Sequence, residues 1–414
     1  MEADVIKPPK RPSILGGSMI IAGTAVGAGM FSIPMVTSGV WFSGSVVLLI
    51  YTFICMLLSG LMILEANMNY PAGASFHTMV KDLLGSSWNT INSLSITFVL
   101  YILTYAYISA GSSIITENVS KYAQVPQAIS GLVFALVIAF FVWLSTRAVD
   151  RLSTILIGGM VITFVMSIGG MVTTASPMVL FDQYDNNNSE YLPYALAALP
   201  YLLTSFGYHG NVPGLVKYYN KDSRSVMLSL VYGAGITVTI YILWQYAIQG
   251  NIPRSSFIEI RENGNNIGAL LNQMNISAQS SFISQFLTLF SYMALASSFL
   301  GVSLGLFDFI ADFFKFNDSY QGRFKSVIIT FLPPTILGLV FPNGFIYAIG
   351  FAGLAATIWA VIIPALMARA SRKRFPNNSY RTPGGSFVIG FVILFGLINA
   401  TAHILSLLGL LPVY

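Results

Sequence analysis

Residues 199–214 read LPYLLTSFGYHGNVPG. They sit in an apolar segment long enough to cross a bilayer, yet Gly207, His209, Gly210, Asn211 and Pro213 crowd its middle. Polar and helix-breaking backbone at membrane depth is tolerated only where protein encloses it or it lines a cavity. A second stretch has the same character. Residues 16–34 read GGSMIIAGTAVGAGMFSIP, with Gly23, Gly27 and Gly29 at the centre. Each such glycine costs a helix interior about 1 kcal/mol relative to alanine. Alone, this stretch also fits close helix packing, because Gly23 and Gly27 form a small-xxx-small pair. Together, two interrupted spans at corresponding places in two halves of a chain point to a transporter binding site.

The flanking sequence supplies the halves. Of the 414 residues, 55% are hydrophobic and 8% charged, against about a quarter charged in soluble domains. The mean hydropathy is +0.73, so lipid is the main solvent. A span needs roughly 20 apolar residues. Windows of that size predict eleven helices, over residues 13–37, 40–66, 91–116, 126–146, 153–175, 191–217, 225–249, 281–309, 326–341, 344–369 and 385–410. The ninth contains Pro333 and Pro334 and is expected to tilt or kink. The polar start, followed by many spans, does not read as a cleavable signal peptide.

Charge placement orients the chain. With the N-terminus in the cytoplasm, seventeen of the 20 basic residues fall in cytoplasmic segments, and only Lys121, Arg254 and Arg261 fall outside. Basic residues favour the cytoplasmic side, so the split supports both span list and orientation. It also explains the net charge of +5 without nucleic acid. An odd number of crossings puts the C-terminus outside. Spans one and six then open two groups of five that run in opposite directions. The predicted organisation is a cytoplasmic tail over 1–12, a five-helix repeat over 13–175, an inverted repeat over 176–369, and a loop with an eleventh helix over 370–414. Outside, the segment 176–190 carries Asp182, Asp185 and Glu190 without a base. In the longest outer connection, Ser255–Arg261 and Ile267–Met274 are expected as short helices, as a lid or as inert surface.

The paired interruptions predict a chemistry. The second half of span one begins at midplane with free amides, which favour a carboxylate. The first half of span six ends there with free carbonyls, which suit an ammonium. A zwitterion is thus received without a charged side chain. Candidate contacts are Gly23, Thr24, Gly27, Ala28 and Gly29 on span one and Phe206, Gly207, Tyr208, His209, Gly210 and Asn211 on span six. Span three adds Tyr101 and Tyr105, on one face with Ile108. Span eight adds Ser298, with Ser297 beside Gly301 and Gly305. Bundle packing accounts for the last two sets somewhat better than a binding role does. Of three histidines only His209 lies at an interruption, while His77 falls in a cytoplasmic loop and His403 in the last span. Glu65 and Asp308 are the in-span acids, both near cytoplasmic ends, where salt bridges or caps are their ordinary roles.

Several of these stretches resemble the bacterial aromatic amino acid permeases, most closely the tryptophan-specific branch. They are residues 23–34, 65–70 (EANMNY), 98–109 (FVLYILTYAYIS), 205–213 and 296–308 (ASSFLGVSLGLFD). The resemblance spans nearly the whole chain. It implies the amino acid–polyamine–organocation superfamily, whose leucine-transporter-type fold is an inverted five-plus-five repeat with discontinuous helices 1 and 6. It further implies proton-driven uptake of tryptophan. Related permeases often carry a lysine in the fifth span, where this chain has Met160.

The expected protein is therefore an all-α secondary transporter whose partners are an aromatic amino acid, protons and the lipid bilayer. A monomer is expected, with no cofactor, metal site or nucleic-acid partner. Proton coupling would fall to His209 first, then to Glu65 or Asp308. A tyrosine or phenylalanine permease, an exchanger, and a non-transporting channel or sensor are the alternatives. A membrane enzyme would need a nucleophile–base pair or metal cluster. One cysteine, Cys55, three scattered histidines and no HExxH or GxSxG motif argue against it.

Overall fold

The computed structural model describes residues 12–120, 122–183, 190–278 and 280–414. Lys7, Lys10 and Arg11 of the N-terminal tail, Lys121 and Asp185 lie outside them. Among the described residues there are helices and connections but no strand. That follows from the solvent, since a helix satisfies every backbone polar group within its own segment.

The helices that position the site are α1 (Ile14–Ala25), α2 (Ala28–Val36), α3 (Trp41–Asn67), α4 (Phe76–Leu84), α5 (Ser86–Val119), α6 (Gln127–Leu144) and α7 (Thr146–Thr174). They continue with α8 (Ala195–Ser205), α9 (Val212–Tyr218), α10 (Ser223–Gln249), α11 (Ser256–Glu262), α12 (Ile267–Ser277), α13 (Ser281–Phe314), α14 (Tyr320–Val340), α15 (Phe345–Arg374) and α16 (Gly385–Leu407). Nine of them are long and apolar enough to cross a membrane, and the pair α1–α2, bent by 51°, makes up to ten. The other interrupted stretch is divided between α8 and α9, of 11 and 7 residues, neither long enough alone. Pro333 and Pro334 lie within the one helix α14. Short helices α11 and α12 form where the outer connection predicted them.

Small residues set the closest approaches. A Cβ on Gly233 of α10 would fall 2.5 Å from the Cβ of Ile21, so α1 lies directly on α10. One on Gly353 of α15 would fall 2.1 Å from the Pro200 carbonyl of α8. Elsewhere α5 packs on α15 and α13, α7 on α13, α6 on α14, and α3 on α10 and α15. Within α15, Thr357–Ile362 widens into a π turn. Such a turn releases carbonyls from the α ladder, and Ser59 of α3 donates to that of Ala360.

Candidate functional site

The two interruptions meet. Helix α1 stops at Ala25, Val26 and Gly27 are extended, and α2 restarts as a 3-10 turn at Ala28. Helix α8 stops at Ser205, and a 3-10 turn over His209–Asn211 leads into α9. Tyr241 of α10 joins them: its hydroxyl lies 2.7 Å from the Ala25 carbonyl and 2.6 Å from that of Ser205. Both carbonyls belong to last helical turns, which lack intrahelical partners. A phenol has one proton to donate, so the hydroxyl serves one of them at a time.

Two further bonds cross the gap. The Asn211 amide donates to the Thr24 hydroxyl at 2.6 Å, and that hydroxyl donates to the Ile20 carbonyl. The Ala28 amide, first of α2, donates to Ser298 Oγ of α13 at 3.1 Å. Gly27 permits that approach, since a Cβ there would stand 2.2 Å from the same oxygen. Gly29 comes only to ordinary contact with Ser205, and Gly23 has open space. Gly27 therefore serves close approach to Ser298, and Gly23 takes no part in helix packing.

Access is unequal on the two sides. Towards α2 and α8 the interruptions are covered by fully buried Phe31, Trp244 and Phe290, whose ring centroids lie 5.3–5.8 Å apart. Phe206 stands edge-on to Tyr241 at 5.3 Å. Towards α1 and α9, Gly23, Thr24, Gly207, Gly210 and Gly214 are exposed, as are Gly301 and Gly305 on α13. The interruptions are thus covered more densely towards α2 and α8 than towards α1 and α9.

The tryptophan/tyrosine permease family matches residues 10–403. The chain belongs to that family. It is 56% identical to the tryptophan-specific transport protein of Haemophilus influenzae, over 97% of both chains. It is 57% identical to the protein of that name in Pseudomonas aeruginosa, over 98% of both. The tyrosine permease of Enterobacter agglomerans is 39% identical, over 97% of this chain and 98% of its own. The protein is thus an aromatic amino acid permease and not an enzyme.

In this permease the other predicted residues are distributed as follows. His209 is fully buried, with Nε2 at 3.1 Å from the Met56 carbonyl of α3 and its ring stacked on Tyr208 at 4.7 Å. A carbonyl only accepts, so Nε2 donates in that bond. Tyr208 is also buried and packs over Gly60 of α3. Tyr101 and Tyr105 turn their hydroxyls to the carbonyls of Ile329 and Phe341, at 3.0 and 2.7 Å, so they tie α5 to α14 and its following loop. Tyr107, not singled out from sequence, reaches Phe299 beside Ser298, with ring centroids 6.0 Å apart. Met160 is buried on α7.

The two acids part company. Asp308 is exposed. Glu65, fully buried, takes a two-pronged contact from Arg372 at 2.6 and 2.8 Å and the Thr382 amide at 2.8 Å. It joins the end of α3 to the end of α15 and the loop after it. Tyr241 is the main residue that sequence reading missed. The available signal was a polar row on α10, Thr237, Tyr241, Gln245 and Gln249 at four-residue steps, all fully buried.

Proposed function

We propose that this permease imports L-tryptophan across the bacterial inner membrane by proton symport and alternating access. The observation that carries the reading is the Tyr241 hydroxyl set between the Ala25 and Ser205 carbonyls. It puts two freed helix ends at one point, and α2 restarts after Val26 and Gly27. A carboxylate is received by the amides around Ala28 and Gly29 and an ammonium by the carbonyl ends, beside Phe206, Thr24 and the segment 207–211. The tryptophan assignment rests on the higher identity to the relatives named for that substrate than to the tyrosine permease.

The architecture proposed is eleven spans, with α8 and α9 together forming the sixth, the N-terminus cytoplasmic and the C-terminus periplasmic. The packing partners support an inverted five-plus-five repeat. Adding or subtracting five turns the contact of spans one and seven (α1, α10) into that of six and two (α8 and α9, α3). The same step turns spans three and ten (α5, α15) into eight and five (α13, α7). In this orientation the more exposed side of the interruptions, towards α1 and α9, faces the cytoplasm. The working unit is proposed to be a monomer.

For coupling, His209 is the proposed proton carrier. His209 lies at the interruption, and an imidazole is able to take up and release a proton. Glu65 is engaged by Arg372 and Thr382 and suits a fixed joint better. The test is tryptophan uptake into proteoliposomes under separately imposed pH and sodium gradients. Accumulation driven by the pH gradient alone, and lost in His209→Gln, is the expected outcome. Accumulation in His209→Gln with unchanged pH dependence would move coupling elsewhere. Sodium-driven accumulation would replace the proton altogether.

A further inference from the structure

A polar seam leads from His209 between α3, α5 and α15 towards α4. Asn89, Asn92 and Ser95 share one face of α5, at 7%, 2% and 6% exposure. Ser95 donates to the Ala355 carbonyl of α15 at 2.6 Å, just before the π turn. The two helices run antiparallel, since Tyr105, farther along α5, donates to the Phe341 carbonyl ahead of α15. At about 1.5 Å per residue, three residues back along α5 and four onward along α15 bring Asn92 and Trp359 to nearly one depth. Trp359 stands edge-on to His209 at 6.3 Å and to Phe76 of α4 at 6.4 Å. Next to Phe76, His77 is exposed, and its Nε2 lies 3.2 Å from Asn89 Nδ2. We propose that this seam is the route by which a proton carried on His209 leaves for the cytoplasm, through water held between Trp359 and Asn92. The inference rests on the symport reading above.

Buried polar atoms without protein partners mark the seam. Among the described residues they include Asn89 Oδ1, Asn92 Oδ1, Trp359 Nε1 and the Tyr208 hydroxyl. Such groups are ordinarily met by water that makes two to four hydrogen bonds. An indole N–H only gives and an amide oxygen only accepts, so Trp359 and Asn92 at one depth offer a water both kinds of contact. The proton moves by simple exchange. The His209 imidazolium gives its proton to a water and returns to neutral, and that water passes a proton onward. Each hop breaks one N–H or O–H bond and makes another, and the last acceptor is His77 or cytoplasmic water. The titratable groups on the route are Tyr208, His209 and His77. Cys55, beside Met56 on α3, is turned to Tyr51. Near the α4 end, Asp82 pairs with Arg374 at 2.9 Å, Glu65 with Arg372 at 2.6 Å, and Lys81 is exposed.

A route and a carrier leave different kinetic marks. Net uptake needs the proton to leave, whereas exchange of labelled for unlabelled tryptophan lets the carrier return with its proton. The test is the full chain in proteoliposomes, assayed in both modes. Asn92→Leu keeps the bulk and removes the amide oxygen. It should slow net uptake driven by a pH gradient about tenfold, the loss of one hydrogen bond along the relay, with exchange kept within about twofold. The final accumulation ratio, which the gradient sets, should be reached late and not lowered. His209→Gln, in contrast, should lower that ratio. Asn92→Ser keeps an oxygen and should stay close to wild type. Equal rates of net uptake in wild type and Asn92→Leu, with the pH gradient driving both, would overturn the route and leave the symport reading standing. Uptake by wild type that ignores the pH gradient would remove the symport reading and the route with it. Should Asn92→Leu lose exchange as well, Trp359→Phe decides, because it keeps an aromatic ring and drops the Nε1 donor. Net uptake slowed about threefold with exchange intact supports the route, and unchanged net uptake overturns it.

Discussion

At the interruptions of α1–α2 and α8–α9, polar contacts are made by amides, carbonyls and hydroxyls: Tyr241 to Ala25 and Ser205, Asn211 to Thr24, Ala28 to Ser298. At the far ends of α3 and α15, the same membrane protein buries a full ion pair, Glu65 with Arg372. A buried charge needs a partner that stays, because removing one leaves the other uncompensated. Partial charges on helix ends make a weaker demand and let a zwitterion come and go. The difference separates a joint from a site.

Arg372→Ala should have the largest effect. Glu65 would keep the Thr382 amide and lose both guanidinium contacts, and breaking a buried pair costs about 3–5 kcal/mol. The expected outcome is a large drop in thermal midpoint in detergent and in the yield of folded protein. Adding Glu65→Gln should restore part of the loss by removing the stranded charge. A midpoint unchanged in Arg372→Ala would mean that the joint bears no load.

The second prediction concerns the interruptions. Gly27→Ala places a methyl 2.2 Å from Ser298 Oγ, and the serine must turn away from the Ala28 amide. An amide left unpaired costs about 1–3 kcal/mol, so uptake should fall about tenfold or more. Gly29→Ala meets Ser205 at 3.9 Å and should leave the thermal midpoint nearly as in wild type. Ser298→Ala in the Gly27→Ala background should return part of the activity by giving back space. A Gly27→Ala protein as active as wild type would show that the close approach is dispensable.

The contrast also shows what the sequence could reveal. The interruptions were legible because Gly27, Gly207, His209 and Asn211 disturb apolar runs, and composition records disturbance. The short helices α11 and α12 were legible from local pattern. Pairing across the fold was not. Glu65 stood out as an in-span acid, but several bases in the connecting loops were equally available to it. Selecting Arg372, 307 positions away, needs the packing of α3 against α15. Likewise Tyr101 and Tyr105 share a helix face, and periodicity says they face one neighbour without saying which. That neighbour is α14 and its following loop. Tyr241 was overlooked for another reason: the polar row it shares with Thr237, Gln245 and Gln249 marks a buried face of α10, but its role exists only once α1 and α8 end beside it.

The smallest expected effect comes from a second acid–base contact close to the joint, which tests whether burial rather than mere pairing makes it. Asp82 of α4 accepts from the Tyr70 hydroxyl at 2.6 Å and meets Arg374 at 2.9 Å. Its side chain is 39% exposed and that of Arg374 52%, against 0% for Glu65. The Tyr70 hydrogen bond, followed by Arg374, holds the Asp82 carboxyl below its ordinary value. A depressed carboxyl stabilises the fold above its unfolded value of about 3.9, and that contribution is lost as pH falls through the folded value. Because water and salt screen an exposed pair, the contribution should be about 0.2–1 kcal/mol. Asp82→Asn should therefore lower the thermal midpoint slightly at neutral pH. The gap to wild type should shrink in high salt and close under acid conditions. Arg372→Ala should keep its large deficit in the same salt, since buried charges are screened far less. If Asp82→Asn costs as much as Arg372→Ala, or if its deficit widens on acidification, burial is not what sets the joint apart.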